Sequence, residues 1–441
     1  MEWSMNKTRL YLYAGIFFFF TSCRDKKDDA AKVPVAQVTK AAQTPNTENI
    51  GITLPVLDAL FFEEGFETTL QSELKLTKAQ LRQLKSVSGS YVATLTEEGN
   101  SFGSARQASQ SALEEIKKII GDEKTKGLLQ LIARRYEQGS IAGLLPTRPN
   151  AIPADTRIVV NAPAFRMDVY QQGKLLQTYR IGVGYPEFPL PTGMRAAEKI
   201  IFNPTWTPPD EAWVKGKFQP GRKVAAGSKL NPLGLIKIPI GLPSLIHGGK
   251  AIEKLGDFAS HGCVGLTNNQ IQDFTGLLAR ISGTSLPADS IKLFESAKTQ
   301  TKTVKLNQLV PVELRYETIV AQGGNLVIYR DIYERGTNTP AEAKRILEIH
   351  GVDFSKLSRQ EKTALNTALR EMNMDSQGKP IAAFNMNADD DSISAIEDRN
   401  REQKANKGAV TRTVKGKKEA YVPIAALKDK GYPAPVNPNN G

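Results

Sequence analysis

Cysteine is almost absent from this chain: two residues in 441, Cys23 and Cys263. Histidine is nearly as scarce, with three. No zinc-finger spacing occurs, and no basic stretch is interleaved with aromatics, so nucleic acid is not an expected partner despite a formal charge of +12. That charge suits an anionic membrane or an acidic polymer equally well. A helix that crosses a bilayer needs about 20 apolar residues. The apolar run from Leu10 to Phe20 stops well short of that.

What stands at the start has a different meaning. Lys7 and Arg9 precede the apolar run, and Thr21-Ser22-Cys23 follows it directly. A basic segment, a short apolar core and small residues make a secretory signal peptide. The Phe-Thr-Ser-Cys ending resembles a lipoprotein processing site, which makes residues 1–23 the signal, Cys23 the lipidated residue, and the mature protein exported and membrane-anchored, with the periplasmic face expected. Cys263 is then the single thiol of the mature chain, so an internal disulfide is excluded. An unpaired cysteine in an exported protein is either a small buried hydrophobe or a reactive group.

Residues 24–50 have the composition of a flexible linker. From 51 to 145 the pattern is helical: Thr77 to Gln80 reads as a capping box, and Leu113, Ile116, Ile119 and Ile120 repeat at helical spacing. A proline-rich joint leads into a β-rich segment at 152–335, where Arg157 to Val160, Phe165 to Tyr170, Val310 to Tyr316 and Asn325 to Tyr329 alternate as strands. Helix is expected again over 336–382, with Ser358 and Glu361 as a second capping box, and a disordered tail over 383–441.

Two of the three histidines lie close before Cys263, in Leu245-Ile246-His247-Gly248-Gly249 and Ser260-His261-Gly262-Cys263-Val264-Gly265. A thiol of pKa about 8.5 is mostly protonated at neutral pH, so a catalytic cysteine needs a neighbour that takes its proton. An imidazole does this, and glycine lets backbone N–H groups approach a forming oxyanion.

These residues resemble the L,D-transpeptidase family of bacterial cell-wall enzymes, whose catalytic domain is the YkuD type. The resemblance rests on Ser-His-Gly-Cys at 260–263, the upstream His247-Gly248, Asn-Pro-Leu-Gly at 231–234, Thr192-Gly193 and Trp206-Thr207-Pro208-Pro209. It implies a mostly β, sandwich-like catalytic domain, here with a helical N-terminal accessory region and a helical, then disordered, C-terminal extension. It implies Cys263 as nucleophile and His247 as general base, with His261, Gly262 and Ser260 supporting the oxyanion and the loop. No metal and no cofactor are required. The reaction implied is cross-linking of peptidoglycan stem peptides, donor and acceptor, through a Cys263 thioester. One departure is Gly265, where most of the family has Arg; it bears on substrate choice. Three alternatives stay open: hydrolysis by the same nucleophile, which is carboxypeptidase or endopeptidase activity; a non-catalytic wall-binding lipoprotein; and an inert buried Cys263. Two histidines and a cysteine are also zinc-competent, although this order matches no common zinc spacing.

Overall fold

A computed structural model of the chain describes residues 52–61, 65–94, 105–138, 146–208, 222–241, 244–376, 378–381 and 413–437. The expected signal peptide with Cys23 and the expected linker lie outside the described residues. Among the described residues no helix is long and apolar enough to cross a membrane.

The N-terminal region is helical: α1 (Leu54–Phe61), α2 (Phe66–Leu74), α3 (Lys78–Thr94) and α4 (Ala105–Gln138). The capping box forms at the start of α3, where Gln80 N–H donates to Thr77 Oγ1 at 3.2 Å and Thr77 N–H donates to Gln80 Oε1 at 3.1 Å. Helical spacing puts Leu57, Phe66, Leu70, Leu84, Ile116 and Leu128 into one core. Inside α4, Gly121 (φ 79°) breaks the helical backbone, a conformation that L side chains rarely adopt.

The second region is an eight-stranded sheet. Its strands are β1 (Arg157–Asn161), β2 (Arg166–Gln171), β3 (Lys174–Arg180), β5 (Gly193–Phe202), β6 (Ile236–Pro239), β7 (Leu245–His247), β9 (Val264–Gly265) and β10 (Lys302–Arg315). Their order across the sheet is β3-β2-β1-β10-β5-β6-β7-β9. The β1–β10 and β7–β9 pairs are parallel and the others antiparallel. A separate pair, β4 (Val183–Gly184) with β8 (Phe258–Ser260), joins the same core. Two helices follow β9: α5 (Asn268–Ile281) and α6 (Ala288–Ser296).

Alternation along β1 sends Ile158 and Val160 into the core with Ile271, Phe274 and Leu278 of α5. Val159, on the other face, packs with Tyr170, Leu175 and the distant Val436. Each fully buried Ile or Phe side chain contributes roughly 1.5–3 kcal/mol, so the sheet and α5 stabilise each other. The expected β-rich catalytic domain, with a helix beside the active loop, is what the fold shows.

The C-terminal part corrects two expectations. Strands β11 (Ile319–Gln322) and β12 (Asn325–Tyr329) do not close the large sheet but form a second one with β13 (Glu419–Pro423), in the order β11-β12-β13. Helices α7 (Pro340–Ile349) and α8 (Arg359–Met372) cover this small sheet. The second capping box, Ser358 with Glu361, starts α8 as expected. The stretch 413–437 is therefore ordered, where the sequence reads as a disordered tail. Its composition misleads for a physical reason: β13 is an edge strand with only Val422 buried, so it carries almost no apolar signal.

Candidate active site

The strand register builds the site. Ile201 pairs with Lys237, Lys237 with His247, and His247 with Gly265, one row across β5, β6, β7 and β9. Opposed residues share a sheet face, and residues two apart on a strand return to it. Cys263 directly precedes Val264, the first residue of β9, which pairs with Ile246 beside His247.

Cys263 is half-buried at the bend between β8 and β9. Ser260, the last residue of β8, ties that bend: its Oγ accepts from Cys263 N–H at 3.0 Å and donates to the Cys263 carbonyl at 2.6 Å. Between them, Gly262 has φ 90°, in the left-handed region. Ser244 Oγ donates to the Gly262 carbonyl at 3.2 Å. The Gly262 N–H makes no hydrogen bond within the described residues, whereas that of Cys263 is committed to Ser260.

His247 is buried at the end of β7, and its Nδ1 lies 2.7 Å from the Gly248 carbonyl. A carbonyl only accepts, so Nδ1 carries the proton and, in the neutral ring, Nε2 keeps its lone pair. Burial, then the nearby Lys250 ammonium, push the imidazole down to about 3, against weaker support from the Gly248 and Leu233 backbone. The ring is neutral at any physiological pH. No hydrogen bond joins it to the Cys263 thiol within the described residues. Catalytic hydrogen bonds commonly tighten only when substrate is bound.

Burial pushes the Cys263 thiol up, while a hydrogen bond from the Leu245 backbone and the charges of Lys250 and Lys237 pull it down. His261 stands apart from this pair. Its ring lies edge-on to Tyr185 and Phe188, with centroids 5.1 and 4.7 Å away. The structure thus brings Cys263, Ser260 and Gly262 together at one bend, puts His247 on the strand that pairs with β9, and packs His261 against Tyr185 and Phe188.

Two further motifs acquire a cause. Gly234, the end of Asn-Pro-Leu-Gly, approaches the His-Gly-Gly loop so closely that a Cβ on it would lie 2.4 Å from Gly249 N. Asn268 Oδ1 fastens that approach by accepting from Gly249 N–H at 3.0 Å. Of Trp206-Thr207-Pro208-Pro209, Trp206 forms a bridge with Val224, and Pro209 lies outside the described residues.

Sequence reasoning missed Lys237, Lys250 and Asp257. Lys250 directly follows His-Gly-Gly, which is the only local signal it has. Asp257, just before β8, holds the loop from its other side: Oδ1 accepts from Val414 N–H at 2.8 Å and Oδ2 pairs with Lys418 Nζ at 2.9 Å.

A thiol, a neutral imidazole and a glycine-rich bend, carried on and beside the paired strands β7 and β9, are residue types that cysteine acyl transfer uses. Residues 155–304 match the YkuD family model, the L,D-transpeptidase catalytic domain. The YkuD match covers the eight-stranded sheet from near the start of β1 into β10, with the whole row just described. Escherichia coli YbiS, named a probable L,D-transpeptidase, is 32% identical over 119 residues, which is 26% of this chain and 39% of that protein. The chain thus spans well under half the length of this relative. Bacillus subtilis YqjB, also provisionally named an L,D-transpeptidase, is 22% identical over 179 residues, 39% of this chain and 94% of that protein. Among solved structures, the catalytic domain of an E. faecium L,D-transpeptidase aligns with 37% of this chain and 100% of that one, at 18% identity and a TM-score of 0.24.

Proposed function

We propose that this YkuD domain is a peptidoglycan L,D-transpeptidase that works through a Cys263 thioester. The observation that supports it most is the pairing of β7, which ends at a neutral His247, with β9, which starts directly after the bend that carries the only thiol among the described residues and is braced by Ser260.

In this reading His247 Nε2 takes the thiol proton, and Sγ attacks the carbonyl between the third residue and the terminal D-alanine of a donor stem peptide. The tetrahedral oxyanion is met by the uncommitted Gly262 N–H. The C–N bond breaks, D-alanine leaves with the proton from His247, and the acyl group stays on sulfur. An amine of a neighbouring stem then attacks the thioester, loses its proton to His247, and releases Cys263 as the peptide cross-link forms. The anion-attracting charge of the chain favours a wall or membrane surface as its working place. We also propose that Cys23 is lipidated and holds the protein at the membrane, facing the periplasm. Cys23→Ala should move it from the membrane to the soluble fraction; unchanged membrane association would end that idea.

Intact-mass spectrometry of the mature protein with a wall tetrapeptide, beside Cys263→Ala, tests the chemistry. An adduct on Cys263 that resolves to a cross-linked dimer with an added acceptor stem is the expected result. Resolution only to tripeptide would make the protein a hydrolase. No adduct and no product would leave a wall-binding protein.

A further inference from the structure

Where Gly265 has no side chain, another side chain has moved in. A Cβ at Gly265 would lie 2.8 Å from Lys250 Cγ and 2.9 Å from Lys250 Cε. The Lys250 stem therefore runs over Gly265, anchored by Lys250 N–H donating to the Leu266 carbonyl at 3.0 Å. This places a cation on the row of His247 and beside Cys263.

Lys250 is not alone. Lys237 sits opposite His247 in the β6–β7 hairpin and also feels the charge of Cys263. Both lysines are half-buried, and among the described residues neither has a carboxylate partner. Their charged forms are disfavoured, first by burial and then, for each, by other lysines: Lys254 for Lys250, Lys199 and Lys223 for Lys237. Removing a cation from water without a counter-ion costs free energy, and the cost is recovered when an anion arrives. An anion supplied by what binds there would offset that cost.

We propose that Lys250 is a specificity-determining residue: its ammonium, laid over Gly265 beside Cys263, binds a free carboxylate of the peptide that the thiol attacks. The inference rests on the acyl-transfer reading for its choice of ligand, an acidic peptide, and on the geometry for its place. It also gives Gly265 a purpose, because any larger residue there would displace the lysine.

The test uses binding, so that it does not depend on the chemistry. Full-length Cys263→Ala, and the same protein carrying Lys250→Met or Lys250→Arg, are titrated by calorimetry with a synthetic wall tetrapeptide. The peptide is supplied with all carboxylates free and with each carboxylate in turn replaced by carboxamide. One carboxamide peptide should bind Cys263→Ala about tenfold more weakly or worse, as the loss of a charge-assisted hydrogen bond requires. Lys250→Met should bind that peptide and the free one alike, and Lys250→Arg should restore the difference. Equal binding of every peptide to Cys263→Ala, no binding of any, or discrimination that survives in Lys250→Met overturns the proposal. If discrimination is as expected while the wild type forms no adduct, the acyl-transfer reading fails and the carboxylate site stands.

Discussion

Ser260 and Cys263 grip each other across the bend that carries the thiol, the hydroxyl taking the cysteine N–H at 3.0 Å and giving its own proton to the cysteine carbonyl at 2.6 Å. One side chain thereby fixes both ends of the Cys263 backbone. Ser260→Ala should cost about 1–3 kcal/mol, because two backbone groups lose their partner in a half-buried place. The melting temperature should fall by a few degrees, and the rate of adduct formation should fall by about tenfold through lost positioning. Ser260→Thr, which keeps the hydroxyl, should recover most of both losses. A Ser260→Ala protein with unchanged kinetics would show that the brace does not position the thiol.

The His247 ring makes stability depend on pH. Its imidazole titrates near 6.5 in an unfolded chain and at about 3 when folded, because burial and then Lys250 disfavour its charged form. Between those values the unfolded chain binds more protons, so stability rises with pH. The contribution is complete above pH 6.5, shrinks as pH falls through the window and is gone below about 3. Chemical denaturation from pH 7 down to about 4 should therefore show a steeper loss for the wild type than for His247→Gln, by a few kcal/mol on the order-of-magnitude conversion of about 1.4 kcal/mol per pH unit. Parallel curves would mean that the ring is not buried neutral.

The thiol should behave in the opposite sense. Burial pushes Cys263 up while Lys250 and Lys237 pull it down. Alkylation by iodoacetamide should have its pH midpoint above that of an unperturbed thiol, and Lys237→Met should move it higher still. A midpoint that drops in Lys237→Met would contradict the placement of that lysine.

Scarcity made the centre of this site legible. With so few cysteines and histidines, the pairing of His247 with Cys263 stands out before any fold is known. Local chemistry was legible too, as in the capping boxes at Thr77 and Ser358. What the sequence hides is whatever needs a partner from elsewhere. Lys237 reaches His247 only through the register of the β6–β7 hairpin. The alternation of Asn325 to Tyr329 announces a strand but not its neighbour, which proves to be β13. Lys250 gains its place from an absent side chain at Gly265, and absence leaves no pattern.

Gly184 offers a test of close packing behind the active loop. A Cβ there would fall 2.0 Å from the Phe188 carbonyl and 3.0 Å from Gly262 N, both backbone atoms that cannot swing aside. Gly184→Ala should destabilise by about 1–3 kcal/mol and disturb the loop. The ring-current shifts of His261 between Tyr185 and Phe188 should move in the NMR spectrum. Gly276→Ala is the control: it lies within α5, where a Cβ would meet only Ile291 Cδ1 at 3.8 Å. It should stabilise by about 0.5–1 kcal/mol. Equal behaviour of the two variants would refute the packing argument.

Asp257 makes a different prediction, one of local opening. Its carboxylate accepts from Phe258 N–H and Val414 N–H, both at 2.8 Å, and pairs with Lys418 at 2.9 Å. Asp257→Asn removes the charge and should cost about 1.5–3 kcal/mol. Hydrogen exchange should quicken at residues 256–260 and at 413–418 together, since each segment fastens the other. Faster exchange confined to one of them would break the link.

That link has a consequence in time as well as in space. The clamp on the loop before Cys263 is supplied by residues 414 and 418, and the strand that completes β12 comes only at Glu419–Pro423. The ribosome delivers the chain from its beginning, so the thiol emerges long before the residues that steady it. A copy cut short before residue 413 would carry the nucleophile on an unfastened loop. The fold thus ties the setting of Cys263 to the presence of a late segment far from it in sequence, so that incomplete copies hold the thiol less firmly.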